Sequence, residues 1–233
     1  RFIKSVTLRE GDETFKLPAE HVISSMPITQ LVARLDPPPP SEVLTAASEL
    51  TYRAFILVGL IINRDHLFPD NWIYVHSPEV KVGRIQNFKN WSKAMVADPQ
   101  KSCLGMEYFC SEGDNLWMMS NQKLIELATT ELVKLGLARR EDVEDGVVIR
   151  QPKAYPIYDN HYQHNLRILQ GFLTTLDNLQ TIGRNGMYRY NNQDHSMLTG
   201  ILAVENLKGG DHDLWNVNTE RSYYEEFTTS SKE

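Results

Sequence analysis

Residues 182 to 197 read Ile182-Gly183-Arg184-Asn185-Gly186-Met187-Tyr188-Arg189-Tyr190-Asn191-Asn192-Gln193-Asp194-His195-Ser196-Met197. The sequence reads as a short strand from Leu179, a loop from Gly183 to Gln193, and a helix capped by Asp194 and ended by Gly209-Gly210. Arg184 offers a planar fork of donors suited to a carboxylate, a phosphate or a ring oxygen. The glycines on either side let a flat ligand approach the backbone. The unpaired amides at the start of the following helix favour an anion in front of them. This strand, loop and helix is the part of the chain best suited to carry chemistry.

Upstream, Tyr162, Leu166, Leu169, Leu173, Leu176 and Leu179 recur at steps of three and four, which predicts a long amphipathic helix. Val147 to Tyr155 reads as a strand. Ser120 opens another helix, whose Leu124, Leu127, Ala128, Leu132 and Leu135 share a face and whose end falls at Gly136. The segments 54–62, 72–76, 80–88 and 103–110 are rich in β-branched and aromatic residues and predict one antiparallel sheet covered by that helix. Trp72, Trp91 and Trp117 read as packing on the sheet, since no basic stripe accompanies them. Asp36-Pro37-Pro38-Pro39-Pro40 is stiff and marks a lobe boundary, after which Ser41 is placed to cap a helix through Thr51. Before it lie a hairpin (2–8 and 14–17, turned at Glu10-Gly11-Asp12), a strand from His21 and a short helix from Ile28 to Leu35. Beyond Asp211 the chain is polar apart from Trp215 and a Tyr223-Tyr224-Phe227 cluster, a tail that lies on the surface or frays. The expected fold class is α+β.

At 233 residues the chain suits one large domain or two small lobes. With 41% apolar and 23% charged residues it is neither disordered, collagen-like nor membrane-embedded. A net charge of -6, with no dense positive stretch, argues against a nucleic-acid partner. The longest apolar run, Ala54 to Ile62, has nine residues and reads as a buried strand, not an integral membrane segment. Cys103 and Cys110 are the only cysteines, and their separation of seven on a strand puts them on opposite faces, so no disulfide is expected. The expected location is cytoplasmic. The chain begins without Met or a signal-peptide pattern and looks cut at its start.

No Gly-x-Gly-x-x-Gly occurs, no glycine precedes a lysine, and no Gly-x-Ser-x-Gly exists, which removes the usual dinucleotide, P-loop and serine-hydrolase signatures. His161 with His164, and His212 between Asp211 and Asp213, do not supply three convergent ligands, so no metal is expected.

The Gly183-Arg184-x-Gly186-x-Tyr188-Arg189-Tyr190 segment resembles the C-terminal flavin-contacting segment of the UDP-galactopyranose mutases. Ala154-Tyr155-Pro156-Ile157-Tyr158-Asp159, Tyr52-Arg53 and Val82-Gly83-Arg84-Ile85-Gln86 also have counterparts there. The whole chain is similar to the C-terminal half of that family and of its relatives, the flavin amine oxidases and protoporphyrinogen oxidases. The resemblance implies FAD as cofactor, with its ADP half bound by a Rossmann unit upstream of this chain. It implies strands and a linker of the FAD-binding lobe over 1–40, a substrate-binding lobe over 41–178, a flavin-contacting strand-loop-helix over 179–210 and a tail over 211–233.

Carried over by position, it implies Gly183, Arg184, Asn192, Asp194 and Met197 at the cofactor, Arg184 also in catalysis, and Tyr155, Tyr190 and Arg84 at the substrate. The family usually has an acid where this chain has Asn192, and the helix inserted within residues 107–150 is more like the oxidases. The implied function is the substrate-binding and cofactor-contacting portion of an FAD-dependent, amine-oxidase-like oxidoreductase acting on a small-molecule substrate. The alternatives are a UDP-galactopyranose mutase-like isomerase acting on a nucleotide sugar, and a non-enzymatic module that binds a glycan or peptide. The 233 residues alone are expected to be inactive.

Overall fold

A computed structural model describes residues 1–218, and the Tyr223-Tyr224-Phe227 cluster lies outside the described residues. In chain order the elements are β1 (Ser5–Glu10), β2 (Glu13–Pro18), β3 (Val22–Ser24), α1 (Ile28–Ala33), α2 (Ser41–Glu49), β4 (Tyr52–Ile62), β5 (Trp72–Tyr74), β6 (Arg84–Asn87), α3 (Phe88–Trp91), β7 (Ser102–Cys110), α4 (Asn121–Lys134), β8 (Val143–Pro156), α5 (Tyr162–Leu173), β9 (Leu179–Thr181), α6 (Gly183–Gly186) and α7 (Gln193–Leu207). They form two compact units, Tyr52–Tyr155 and the residues on either side of it.

The central unit is a five-stranded sheet in the order β5-β6-β7-β4-β8, antiparallel from β5 through to β4, and the fold is the expected α+β. β4 and β7 pair over nine positions, from Ala54 opposite Cys110 to Ile62 opposite Ser102. Because side chains alternate along a strand, Ile56, Val58, Leu60 and Ile62 share one face with Leu104, Met106 and Tyr108. All seven are fully buried, against Leu124, Ala128 and Leu132 of α4. The start and end of α4 agree with the sequence: Ser120 Oγ accepts from the Lys123 amide at 3.3 Å, and Gly136 adopts φ +70°. Both cysteines are free.

The strands expected over 72–76 and 80–88 are shorter. Between them the chain leaves the sheet because Glu131 of α4 takes the amides of Lys81 and Val82, at 2.7 and 3.0 Å, together with the Tyr108 hydroxyl at 3.0 Å. Trp72 and Trp91 depart from the expected sheet packing. They are 44% and 46% exposed and lie against each other, ring centroids 5.2 Å apart, whereas Trp117 packs against the core.

In the other unit β1 and β2 form the expected hairpin, and β3 and β9 run parallel. Asn178 fastens the start of that pair: its side chain accepts from the Ile3 amide and donates to the Ile3 and Glu20 carbonyls, and its own carbonyl accepts from Val22. This explains why α5 stops at Leu173 instead of running to Leu179: residues 174–178 turn so that Leu179 can enter the sheet. α2 and α5 pack on each other, joined by Asn165 Nδ2 donating to Glu49 at 2.9 Å. Ser41 is not a cap but the first helical residue; Pro40 precedes it, and no side chain caps the helix.

Candidate functional site

The parallel pair brings Ser24 opposite Thr181, and the Ile182 amide extends the ladder to the Ser24 carbonyl at 2.9 Å. The chain then turns sharply. The two glycines of the motif have different reasons. A Cβ on Gly186 would stand 2.8 Å from the Ser24 carbonyl, so only glycine permits that approach. Gly183 has φ +75° with nothing within 4 Å of where a Cβ would stand, which leaves its face open. The expected loop thus opens with a helical turn, α6. The Gly183 amide is held by Thr199 Oγ1 of α7 at 3.0 Å.

Arg184 donates from Nε to the Asn191 carbonyl at 2.9 Å, and its guanidinium carbon lies 4.5 Å from the Tyr190 ring centroid. The Tyr190 amide donates to the Tyr158 hydroxyl at 2.7 Å. Tyr188 is core: it is fully buried at φ 49°, with its hydroxyl between the Thr51 and Ile157 carbonyls. Asn185 Oδ1 is buried and has no hydrogen-bond partner among the described residues. A buried acceptor left that way costs free energy, and here it sits two residues from the open face of Gly183. Asn185 could have been singled out as the polar residue between the two glycines.

α7 begins differently from expectation. Asn192 is its N-cap, without a side-chain cap bond, and Asp194 lies inside the first turn beside His195 Nδ1 at 3.2 Å. Asn192, Asp194 and Met197 are all exposed. Met197, Leu198, Ile201 and Val204 form an exposed apolar stripe along α7, with Ile201 57% exposed. The facing pairs Val6–Leu17 and Leu8–Phe15 give the β1–β2 hairpin an exposed apolar side as well.

Tyr155 and Arg84 lie together in the sheet unit, on the face that α4 does not cover. Arg84 Nε and Gln86 Nε2 donate to the two carboxylate oxygens of Glu107, which is completely buried, and Arg84 Nη2 reaches the Tyr155 hydroxyl at 3.5 Å. The guanidinium lies 5.6 and 5.7 Å from the rings of Trp72 and Tyr74, and Phe55 and Phe109 flank Tyr155. Burial works against the Arg84 charge, but the hydrogen bond and charge of Glu107 outweigh it and hold the guanidinium above its ordinary value. Glu107 is a lone acid in an apolar strand, and its strand register opposite Arg84 is the signal that identifies the pair.

A cleft of about 180 Å³ near β9 is lined by Gln180, Thr181, Asn206, His212 and Trp215, among others. It is small for a ligand site, and Asn206 already bonds both the Gln180 side chain and the His212 backbone. Among the described residues no three His, Cys, Asp or Glu side chains are placed to hold a metal ion, and no helix is long and apolar enough to cross a membrane.

The fold is that of solved flavoenzymes. The chain superposes on a reduced UDP-galactopyranose mutase with a TM-score of 0.79 at 21% identity, over 95% of this chain and 47% of that one. A protoporphyrinogen oxidase-like protein from Exiguobacterium gives 0.61 at 16% identity, over 89% and 45%, and a putrescine oxidase redesigned in its cofactor binding gives 0.54 at 16%, over 77% and 40%. The chain thus spans about half the length of the structures it matches. No family model matches the sequence, and no curated protein does.

Proposed function

We propose that this chain is the substrate-binding and cofactor-contacting portion of an FAD-dependent oxidoreductase of amine-oxidase-like kind. The observation that carries the reading is the turn after β9, where Gly183 presents an open face at φ +75° and Arg184 is fixed by the Asn191 carbonyl and the Tyr190 ring. That turn fits a flat ring: the glycine lets the ring approach the backbone, and the guanidinium beside it supplies a fork of donors. Bound there, a flavin supplies the hydride chemistry. The chain's own work is placement and charge. Arg184, fixed by the Asn191 carbonyl and the Tyr190 ring, holds a permanent positive charge at the turn, and the start of α7 favours negative charge in front of its amides. Asn192, Asp194 and Met197, around the start of α7, serve the cofactor. Tyr155 and Arg84, framed by aromatic rings on the open sheet face, take the small-molecule substrate.

The exposed apolar sides of α7 and of the β1–β2 hairpin support this reading, as does a parallel pair of only two strands. Parallel strands normally sit inside larger covered sheets, and a nucleotide-binding lobe holding the ADP half of FAD provides both the strands and the cover. The greater likeness to the mutase structure favours a second reading, a nucleotide-sugar isomerase in which Arg184 and Tyr190 hold the diphosphate of a UDP-sugar.

The test is cofactor content. Full-length protein containing this chain should purify yellow with FAD, and the 233 residues alone should not retain it. Assays with primary amines and with UDP-galactopyranose then separate the two readings. A full-length protein that neither carries nor takes up FAD overturns both. A stoichiometric yellow complex with the 233 residues alone removes the need for an upstream lobe.

A further inference from the structure

The second arginine of the motif does something the first does not. Arg189 Nη1 donates to two backbone carbonyls beyond α7, those of Trp215 and Val217, the latter at 2.7 Å. One residue further, Asn218 is 8% exposed and adopts the left-handed φ +59°; its Nδ2 donates to the Tyr190 carbonyl and to Asn191 Oδ1, both at 3.1 Å. Asn191 is 2% exposed. With its Oδ1 engaged by Asn218, its Nδ2 is aimed at the Gly183 carbonyl, 3.5 Å away, and its backbone carbonyl takes Arg184 Nε. Leu214 seals the arrangement against Met187 and Ala203. A continuous path of hydrogen bonds thus leads from the segment after α7 through Arg189, Asn218 and Asn191 to Gly183 and Arg184.

We propose that residues 214–218 are a strap that positions the Arg184 turn. The two arginines divide the work: Arg189 grips the strap, Asn218 orients the Asn191 amide, and Asn191 sets the direction in which Arg184 presents its charge. Asn218, Asn191 and Arg189 are positioning residues. The geometry stands by itself, while its consequence for a cofactor rests on the flavin reading above.

The amide of Asn218 is separable from its backbone conformation. Asn218→Gly keeps the left-handed φ and removes both bonds; Asn218→Asp also tolerates that φ, keeps the shape and loses the donor. In the 233-residue chain, amide hydrogen exchange followed by mass spectrometry should quicken about tenfold over residues 183–192 in both variants, with β4 and β7 unchanged. Arg189→Ala should do the same, and Arg189→Lys should restore part of the protection. In the full-length protein Asn218→Asp should weaken FAD binding about tenfold. Exchange that quickens only over 214–218 overturns the strap, because the segment would then be held by the turn without holding it. Normal exchange over 183–192 in Asn218→Gly and Asn218→Asp overturns it as well. Absence of FAD from the full-length wild type overturns the flavin reading while the exchange result still decides the strap.

Discussion

Arg84 and Arg184 carry the same side chain in different surroundings. Arg84 faces a carboxylate that is completely buried, so its charge is matched within the sheet and serves chiefly to orient the Tyr155 hydroxyl and the ring surfaces of Trp72 and Tyr74. Arg184 is held by a carbonyl oxygen and an aromatic face, which fix the direction of its guanidinium. Replacing Arg184 by Ala in the full-length protein should therefore lower turnover about 10²-fold, the usual scale for loss of one oriented donor. Arg184→Lys should recover little, because an ammonium neither stacks nor forks. Unchanged turnover in steady-state assays would remove Arg184 from the site.

The same scale yields a pH dependence. Burial, then the neighbouring Glu131 carboxylate, holds the Tyr108 phenol well above its ordinary value. The folded state thus keeps a proton that the unfolded chain loses near pH 10. Stability from this group is complete below that pH and is lost progressively as pH rises from there towards the raised value of the folded state. Denaturation midpoints should fall from about pH 10 upward, and the 295 nm phenolate signal of Tyr108 should appear only with unfolding. Phenylalanine at 108 should flatten that fall; an equally steep fall in Tyr108→Phe refutes the assignment.

At the scale of elements, the helix signals succeed or fail for a physical reason. Ser120 sits after a turn that leaves its hydroxyl facing the first amides of α4, so it caps as its position suggests. Ser41 follows four prolines whose fixed φ starts the helix one residue earlier, and Asp194 lies inside α7 because Asn192 already holds the extended cap conformation. Ser120→Ala should accordingly cost about 1 kcal/mol of unfolding free energy, and Ser41→Ala under 0.5. Urea titrations monitored by circular dichroism compare the two, and equal losses would show that Ser120 is no cap.

The strands were legible because alternation and β-branching mark a half-buried ribbon, as in Ala54–Ile62. The shortened β5 and β6 were not, since their ends are set by Glu131 some 50 residues away. At the turn, the glycines and Arg184 were visible in the local pattern. The role of Asn185 depends on an acceptor that finds no partner among the described residues, and those of Asn191 and Asn218 on bonds that form only once distant segments meet; no spacing rule encodes either.

For the molecule as a whole, the two units differ in how their chain is arranged. The central one is contiguous, Tyr52 to Tyr155, and the buried residues from Ala54 to Ala138 form its own core between sheet and α4. The flanking unit must instead bring β3 to β9 across that entire insertion, and closing so long a loop carries an entropic cost that grows with its length. It also leaves apolar sides of α7 and the β1–β2 hairpin exposed. Residues 52–155 excised as a separate polypeptide should therefore fold without the rest. The expected result is a sharp, reversible thermal transition with near-ultraviolet dichroism from Trp72, Trp91 and Trp117, since packing around those rings is supplied within the segment. A segment that keeps far-ultraviolet signal but loses the near-ultraviolet bands would be a loosely packed state, and would mean that the core needs the flanking unit to become specific. Cooperative folding of the segment would instead assign the weaker part of the molecule to the unit carrying the Arg184 turn, where the added strands and cover of a nucleotide-binding lobe would contribute most.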